Sequence, residues 1–330
     1  MSKYLVQFLL GLSLFSNYSL AQSDPDDSPY NDASPESMPV RHIKIKAQPA
    51  DGLEFMLDVW APTSDEPLPV VFFETGLTGL APAPAYSETM SKVAERGIVA
   101  VIPFVDFVAA GNSRVLGKRF VKTFDWLSSH LESTLAAELS AAGAPKINTR
   151  QIIIAGHSSA AKAVMELYRN VRGQLAGLML IDPVNGDPLN LTLPAIPKED
   201  VYNDQVPVLL LATGLGKEPG RKGWPACATD DQSTPYFYDH FASPKWYVQA
   251  ADYGHADMLE GIYLKALKAT RFCKVAETMD PAKFRTFIAG ALAAFVRTVT
   301  HKDESMSRYL MDGQLIPLRT VLKNDVGSTL

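Results

Sequence analysis

The sequence predicts an α/β protein with a mostly parallel central sheet and helices on both faces. Three observations carry this. Short, continuous apolar runs such as Pro69-Val70-Val71-Phe72-Phe73 and Ile152-Ile153-Ile154-Ala155 have the character of strands buried on both sides. Segments of helical periodicity alternate with those runs, as a parallel sheet with crossover helices requires. The chain has 330 residues, 47% of them hydrophobic, which suits one large domain of this kind.

Each element has its own justification. Residues 40–47 and 53–60 alternate in character and read as an antiparallel pair at a sheet edge, with Asp51-Gly52 supplying the turn. Residues 69–73 form the first fully buried strand, 86–96 a helix and 98–103 the next strand. An amphipathic helix over 120–142 is ended by Gly143 and Pro145. A strand at 151–155 leads into a helix at 159–171. Further strands follow at 175–181 and 207–213. Residues 245–250 read as the last strand, and 282–300 as a closing, strongly apolar helix. No internal repeat is visible.

The ends differ from this core. Lys3, an apolar run over 5–15 and Ser19-Leu20-Ala21 have the order of a secretory signal, expected over residues 1–21. The alternative is an uncleaved anchor. Residues 22–39 are rich in Asp, Ser and Pro and are expected to form a disordered acidic leader. The main domain is expected over 40–302, with a C-terminal extension at 303–330. The expected location is therefore the exported side: secreted or periplasmic, or a plastid reached through the endoplasmic reticulum in an alga with complex plastids. Net charge is −5, and the only basic run is at 41–46, so a nucleic-acid partner is not expected. The two cysteines, Cys227 and Cys273, are either bridged or a pair of buried thiols. Asn190-Leu191-Thr192 is a glycosylation sequon if the route is eukaryotic.

Three residues fall where strands of this architecture end, the edge at which such folds build their sites. Ser158 lies in Gly156-His157-Ser158-Ser159-Ala160, a strand-to-helix turn that projects a hydroxyl above the sheet. Serine is a weak nucleophile at neutral pH and needs a base within hydrogen-bond reach and an acid to orient that base. His255 follows the last strand on a turn preceded by Gly254. Asp182 ends an apolar strand, where an unpaired carboxylate would be costly. The order Ser, Asp, His is that of α/β-hydrolases. Each residue also has a structural alternative: a helix N-cap, a satisfied histidine, a loop cap. Competing bases are His42, His130, His157, His240 and His301, and competing acids are Asp187, Asp230 and Asp231. An oxyanion needs two backbone N–H donors. Ser159 should supply one, and Leu77, in the glycine loop after residues 69–73, the other. Apolar residues on strand-end loops are pocket candidates: Phe104, Phe107, Val108, Val184, Trp224, Tyr236 and Phe237.

These segments resemble chlorophyllases, α/β-hydrolases that cleave the phytyl ester of chlorophyll. The resemblance spans about residues 69–300. It includes Pro69–Phe73 with its glycine loop, the elbow at Ser158, Ile181-Asp182-Pro183-Val184 and Gly214-Leu215-Gly216. It extends to Pro225-Ala226-Cys227-Ala228 and, most specifically, Asp252-Tyr253-Gly254-His255-x-Asp257-Met258-Leu259. It implies a triad of Ser158, Asp182 and His255, and it is the reason to prefer Asp182 over Asp230. It also implies a Cys227–Cys273 bridge, no metal or cofactor, and a hydrophobic ester as substrate, with peripheral membrane association as a further expectation. Two departures stand out. Ser159-Ala160-Ala161 replaces the family's Arg-Gly-Gly, and Thr75-Gly76 replaces its His-Gly. The competing functions are a general exported carboxylesterase or lipase, and a hydrolase-fold protein that binds pigment or lipid without cleaving it.

Overall fold

Nine strands make one sheet in the computed structural model, which describes residues 28–31, 37–106, 112–139, 144–186, 194–242 and 244–327. The strands are β1 (Val40–Ile45), β2 (Leu57–Pro62), β3 (Leu68–Glu74), β4 (Val99–Pro103), β5 (Ile147–His157), β6 (Gly177–Ile181), β7 (Val208–Thr213), β8 (Lys245–Ala250) and β9 (Thr320–Asp325). Their order is β1-β2-β4-β3-β5-β6-β7-β8-β9. The run from β4 to β8 is parallel throughout. Antiparallel pairs flank it: β1 with β2 and β2 with β4 on one side, β8 with β9 on the other. Seven helices are described: α1 (Ser87–Glu95), α2 (Ser113–Leu139), α3 (Ala161–Val171), α4 (Thr234–His240), α5 (Gly261–Thr270), α6 (Pro281–His301) and α7 (Glu304–Met311).

The apolar strand runs are explained by two cores, one on each face. Val70, Phe72, Ile152, Ile154, Leu178 and Leu180 face one core, with Phe120 and Phe124 of α2 and Leu167 of α3. Val71, Phe73, Ile153, Ala155, Met179 and Ile181 face the other, with Val93 of α1 and Phe287 of α6. Successive residues of a strand point to opposite faces, so a strand buried on both sides must be apolar at every position.

The structure corrects the expected elements at several places. The β1–β2 connection is no two-residue hairpin: a helical turn at Pro49–Asp51 closes on Gly52, whose φ is +93°. Helix α2 begins well before residue 120, because the Asn112 side chain accepts the N–H groups of Arg114 and Val115 at 3.1 Å each. Residues 245–250 are not the last strand. β9 continues the sheet from residues expected as an extension, and Tyr309 and Leu310 of α7 are buried in the second core. The stretch expected as a disordered leader is ordered at residues 28–31. Its one aromatic residue, Tyr30, is buried, stacks on Phe287 and donates its hydroxyl to the Tyr309 carbonyl at 2.5 Å. The expected signal at 1–21 and the sequon at Asn190 lie outside the described residues. Among the described residues no helix is long and apolar enough to cross a membrane.

β9 covers what would otherwise be the open edge of β8, and Leu322 packs against the second core. Truncation before residue 320 should expose that edge to pairing with other chains. Light scattering on heating should show earlier aggregation and a lower Tm than the full chain.

Candidate active site

The carboxyl ends of β3, β5, β6 and β7, with the loop after β8, converge on one spot above the sheet edge. Non-glycine residues with positive φ cluster there. Of the seven such residues described, four are Leu77, Thr78, Ser158 and Asp182. Left-handed backbone at a side-chain-bearing residue costs of order 1–3 kcal/mol and persists only where its surroundings hold it.

β5 ends at His157, and the chain turns at Ser158 with φ +61° into a helical turn that runs on as α3. Gly156 makes the turn tight: a β-carbon there would stand 2.9 Å from Val164 Cγ2 and 3.2 Å from Ala160 Cβ. The Ser158 hydroxyl is thereby presented to His255, with Oγ 2.7 Å from Nε2. The other ring nitrogen, Nδ1, is 2.7 Å from Asp182 Oδ2. The carboxylate can only accept, so Nδ1 carries the proton and Nε2 is free to take one from Ser158.

Asp182 is held as firmly as it holds. The Thr213 N–H donates to Oδ1 at 3.0 Å, and the Thr213 hydroxyl donates to Oδ2 at 2.7 Å. The Asp182 amide donates to the Leu211 carbonyl at 2.7 Å. All three side chains are buried, Ser158 at 8%, Asp182 at 2% and His255 at 6% exposure, which strengthens every electrostatic contact among them. The rival acid Asp230 instead pairs with Lys217 on the surface. Asp187 lies outside the described residues. Four of the rival bases have partners elsewhere: His42 with Asp58, His130 on Trp126, His240 with the Tyr236 carbonyl and His301 with the Thr300 hydroxyl.

The base loop is clamped from below. Asp257 Oδ2 accepts the Gly254 and Ala276 N–H groups at 2.7 Å each. Burial raises the Asp257 pKa, and those two bonds oppose the shift. A β-carbon on Gly254 would collide with the Lys274 carbonyl, so the loop lies directly on the chain that follows Cys273. Cys273 is bonded to Cys227, as the resemblance implies, with Cα atoms 5.6 Å apart. The loop that carries Cys227 also crosses the acid, since a β-carbon on Gly216 would stand 2.9 Å from Asp182 Oδ2. The disulfide thus joins the loop above Asp182 to the bed beneath His255.

The loop after β3 carries Leu77, and the turn after β5 carries Ser159, the two residues whose amides are expected to meet the oxyanion. Gly76 gives its N–H to the Tyr86 hydroxyl at 2.9 Å. The Ser159 N–H belongs to the first turn of a helix, where no intrahelical acceptor exists. Thr78 donates its hydroxyl to Ser159 Oγ at 3.3 Å and ties the two donor segments together.

The pocket candidates divide. Val184 adjoins the site, its N–H bonded to the Ser158 carbonyl at 3.1 Å, and Phe104 is an exposed aromatic just beyond β4. Phe237 is a correction: it is fully buried in the first core, on the inward face of α4. Tyr236 donates to the Ile196 carbonyl and stacks on His240, and Trp224 contacts Phe272 and Arg221 on the surface. Phe107 and Val108 lie outside the described residues. Thr213, Tyr86 and Glu74 are not among the residues the sequence singles out, and Asp257 stands there only as part of the motif around His255. Thr213 alone had a visible signal, as the polar end of an apolar strand.

Glu74 ends β3 fully buried, with no hydrogen-bond partner for either carboxyl oxygen among the described residues. Burial raises its pKa well above the ordinary carboxylate range. Among the described residues, no group of three or more His, Cys, Asp or Glu is placed to hold a metal ion.

Strand order, elbow and Ser–His–Asp contact define an α/β-hydrolase. The chain matches the chlorophyllase family over residues 34–322 and belongs to it. It is 24% identical over 237 residues to Chlorophyllase-2 of Arabidopsis thaliana, covering 69% of this chain and 73% of that protein. Chlorophyllase-1 of the same plant is 25% identical over 254 residues, 72% of this chain and 71% of its own. Chlorophyllase type 0 of Chenopodium album is 27% identical over 162 residues, 46% of this chain and 45% of its own. The family makes this chain a carboxylic-ester hydrolase that acts on small hydrophobic esters.

Two predictions follow from the clamps beneath the site. Reduction of the disulfide, whose cysteines are 46 residues apart, should destabilise the fold by about 2–4 kcal/mol. Melting curves with and without reductant check this, and an unchanged Tm would refute it. For Glu74, the unfolded carboxyl loses its proton near about 4.3, while the folded one keeps it to well above that. Between those values the folded state binds more protons, so wild-type stability falls as pH rises. Glutamine has no such proton to lose. The Tm of Glu74→Gln relative to wild type should therefore rise as pH climbs above about 4, and a pH-independent difference would contradict a protonated Glu74.

Proposed function

We propose that this protein is a chlorophyllase that hydrolyses the ester joining chlorophyll's acid to its phytyl alcohol. One observation carries the reading: in a chain of the chlorophyllase family, His255 is bonded at 2.7 Å to both Ser158 and Asp182.

The chemistry is acyl transfer in two steps. His255 Nε2 takes the Ser158 proton as Oγ attacks the ester carbonyl, and Asp182 stabilises the imidazolium that forms. The oxyanion rests on the Leu77 and Ser159 amides, whose dipoles are fixed before reaction and need no reorganisation. His255 then protonates the departing alcohol, which leaves an acyl-enzyme on Ser158. The same nitrogen deprotonates a water that releases the acid and regenerates the serine. Phe104 and Leu77, 52% and 56% exposed, are apolar surface suited to a long isoprenoid chain.

Product analysis with purified chlorophyll a tests the substrate. Chlorophyllide and phytol should appear, and turnover of short p-nitrophenyl esters alone would reject chlorophyll as substrate and leave a general carboxylesterase. Ser158→Ala and His255→Ala should each lower turnover by several orders of magnitude, to about the residual left by binding and the oxyanion donors. A fluorophosphonate probe should label wild type and not Ser158→Ala. Labelling of neither would favour a pigment- or lipid-binding protein.

A further inference from the structure

His157 is buried at 3% exposure beside the nucleophile, yet takes no part in the proton transfers above. Its ring has a partner at each nitrogen. Nε2 lies 3.0 Å from the backbone carbonyl oxygen of His255, and Nδ1 lies 2.9 Å from the Tyr86 hydroxyl. A carbonyl only accepts, so Nε2 must carry a proton and donate it. Burial, and secondarily the neighbouring His255, hold the His157 pKa well below its ordinary value, so the ring is neutral. Nδ1 is then an acceptor and takes the Tyr86 O–H. The Tyr86 oxygen is left to accept the Gly76 N–H at 2.9 Å. The directions of all three bonds are thereby fixed: Gly76 N–H to Tyr86, Tyr86 O–H to His157, His157 N–H to the His255 carbonyl.

We infer that His157 is a positioning residue: it ties the backbone of the base loop, through Tyr86, to the loop that presents the oxyanion-binding Leu77 amide. Three distant stretches meet in this one relay. A second observation supports it independently of the hydrogen bonds. Gly76 is packed against the relay itself, and a β-carbon there would stand 2.9 Å from the Tyr86 hydroxyl and 3.0 Å from His157 Nδ1. The oxyanion loop is therefore seated on the two side chains that reach the base loop.

The neutral state matters for the reaction. The His157 and His255 rings are 4.9 Å apart between centroids. His255 becomes a cation as Ser158 attacks, and a second cation at that distance would oppose it. A neutral imidazole can hold the loop without that penalty, which a lysine or arginine in the same place cannot.

The inference rests on the esterase reading of Ser158, His255 and Asp182, and the experiment separates the two. Tyr86→Phe removes one oxygen and keeps the ring. His157→Phe removes both bonds and keeps the bulk. His157→Gln returns an N–H at the distance of Nε2. On a soluble p-nitrophenyl ester, Tyr86→Phe and His157→Phe should each lower kcat by about 10–100-fold, the scale of a small misplacement of reacting groups, with KM changed by less than about twofold. The double variant should lose little more than the worse single, as members of one relay do, and His157→Gln should recover part of the His157→Phe loss. Labelling by a fluorophosphonate, taken to completion, counts folded sites, so loss of fold is not mistaken for loss of rate. Variants that label fully and keep kcat within about twofold of wild type overturn the relay, as do additive losses in the double variant. An active Ser158→Ala protein overturns the esterase reading instead.

Discussion

The His255 imidazole must be held at both nitrogens, and most of the carboxyl edge is built to meet that demand. A ring bonded to Ser158 alone could rotate away from it, and one bonded to Asp182 alone would have nothing to deprotonate. Both bonds, at 2.7 Å, are made where β5 and β6 are each followed by a left-handed residue, side by side in register. The parallel register pairs His157 with Ile181, so Ser158 and Asp182 leave adjacent strands at the same height. The sheet sets the separation of nucleophile and acid, and the loop after β8 brings the base to the gap.

Such a site places polar groups where water cannot reach them, and the surroundings compensate unequally. Asp182 receives three hydrogen bonds. Asp257 receives two, both at Oδ2, and burial still raises its pKa. Glu74 receives none among the described residues, so burial favours its neutral form instead. Three carboxyls near one edge are thus met by three, two and no donors, and burial raises the pKa of the two with the fewest. The Cys227–Cys273 bridge adds a covalent constraint to the same region, through Gly216 above Asp182 and Lys274 beneath Gly254.

How much of this could be read from the sequence follows from which interactions are local. Strands buried on both faces betray themselves by continuous apolar runs, so β3, β5, β6 and β7 were legible within a few residues. β9 was not, because an edge strand alternates burial and exposure, and Thr320-Val321-Leu322-Lys323 looks like ordinary surface. Helix α5 buries only Leu264, too little to leave a periodic stripe. The serine elbow and the histidine turn are local motifs and could be found. The acid is defined by what surrounds it, and spacing alone could not separate Asp182 from Asp230. Thr213 from a neighbouring strand makes Asp182 the held carboxylate, whereas Asp230 pairs with Lys217 in solvent. Tyr86 and His157 were illegible for the same reason: their bonds cross between stretches that are distant in sequence.

The two departures from the family's usual residues can be weighed by where they sit. Thr75, Ala160 and Ala161 are all buried, Thr75 beneath the oxyanion loop and the alanines under the elbow. None of the three has surface for a substrate to touch. The Ala160 methyl packs against the elbow, since a β-carbon on Gly156 would stand 3.2 Å from it. The proposed oxyanion donors are backbone amides, which a change of side chain at 75 or 160 does not remove. Ser159 is the exception. It is half-open, its hydroxyl accepts from Thr78, and it stands where the family has a long cation. The departure that reaches the mouth is therefore the loss of one positive charge beside the nucleophile. It leaves the Ser158, His255 and Asp182 contacts in place.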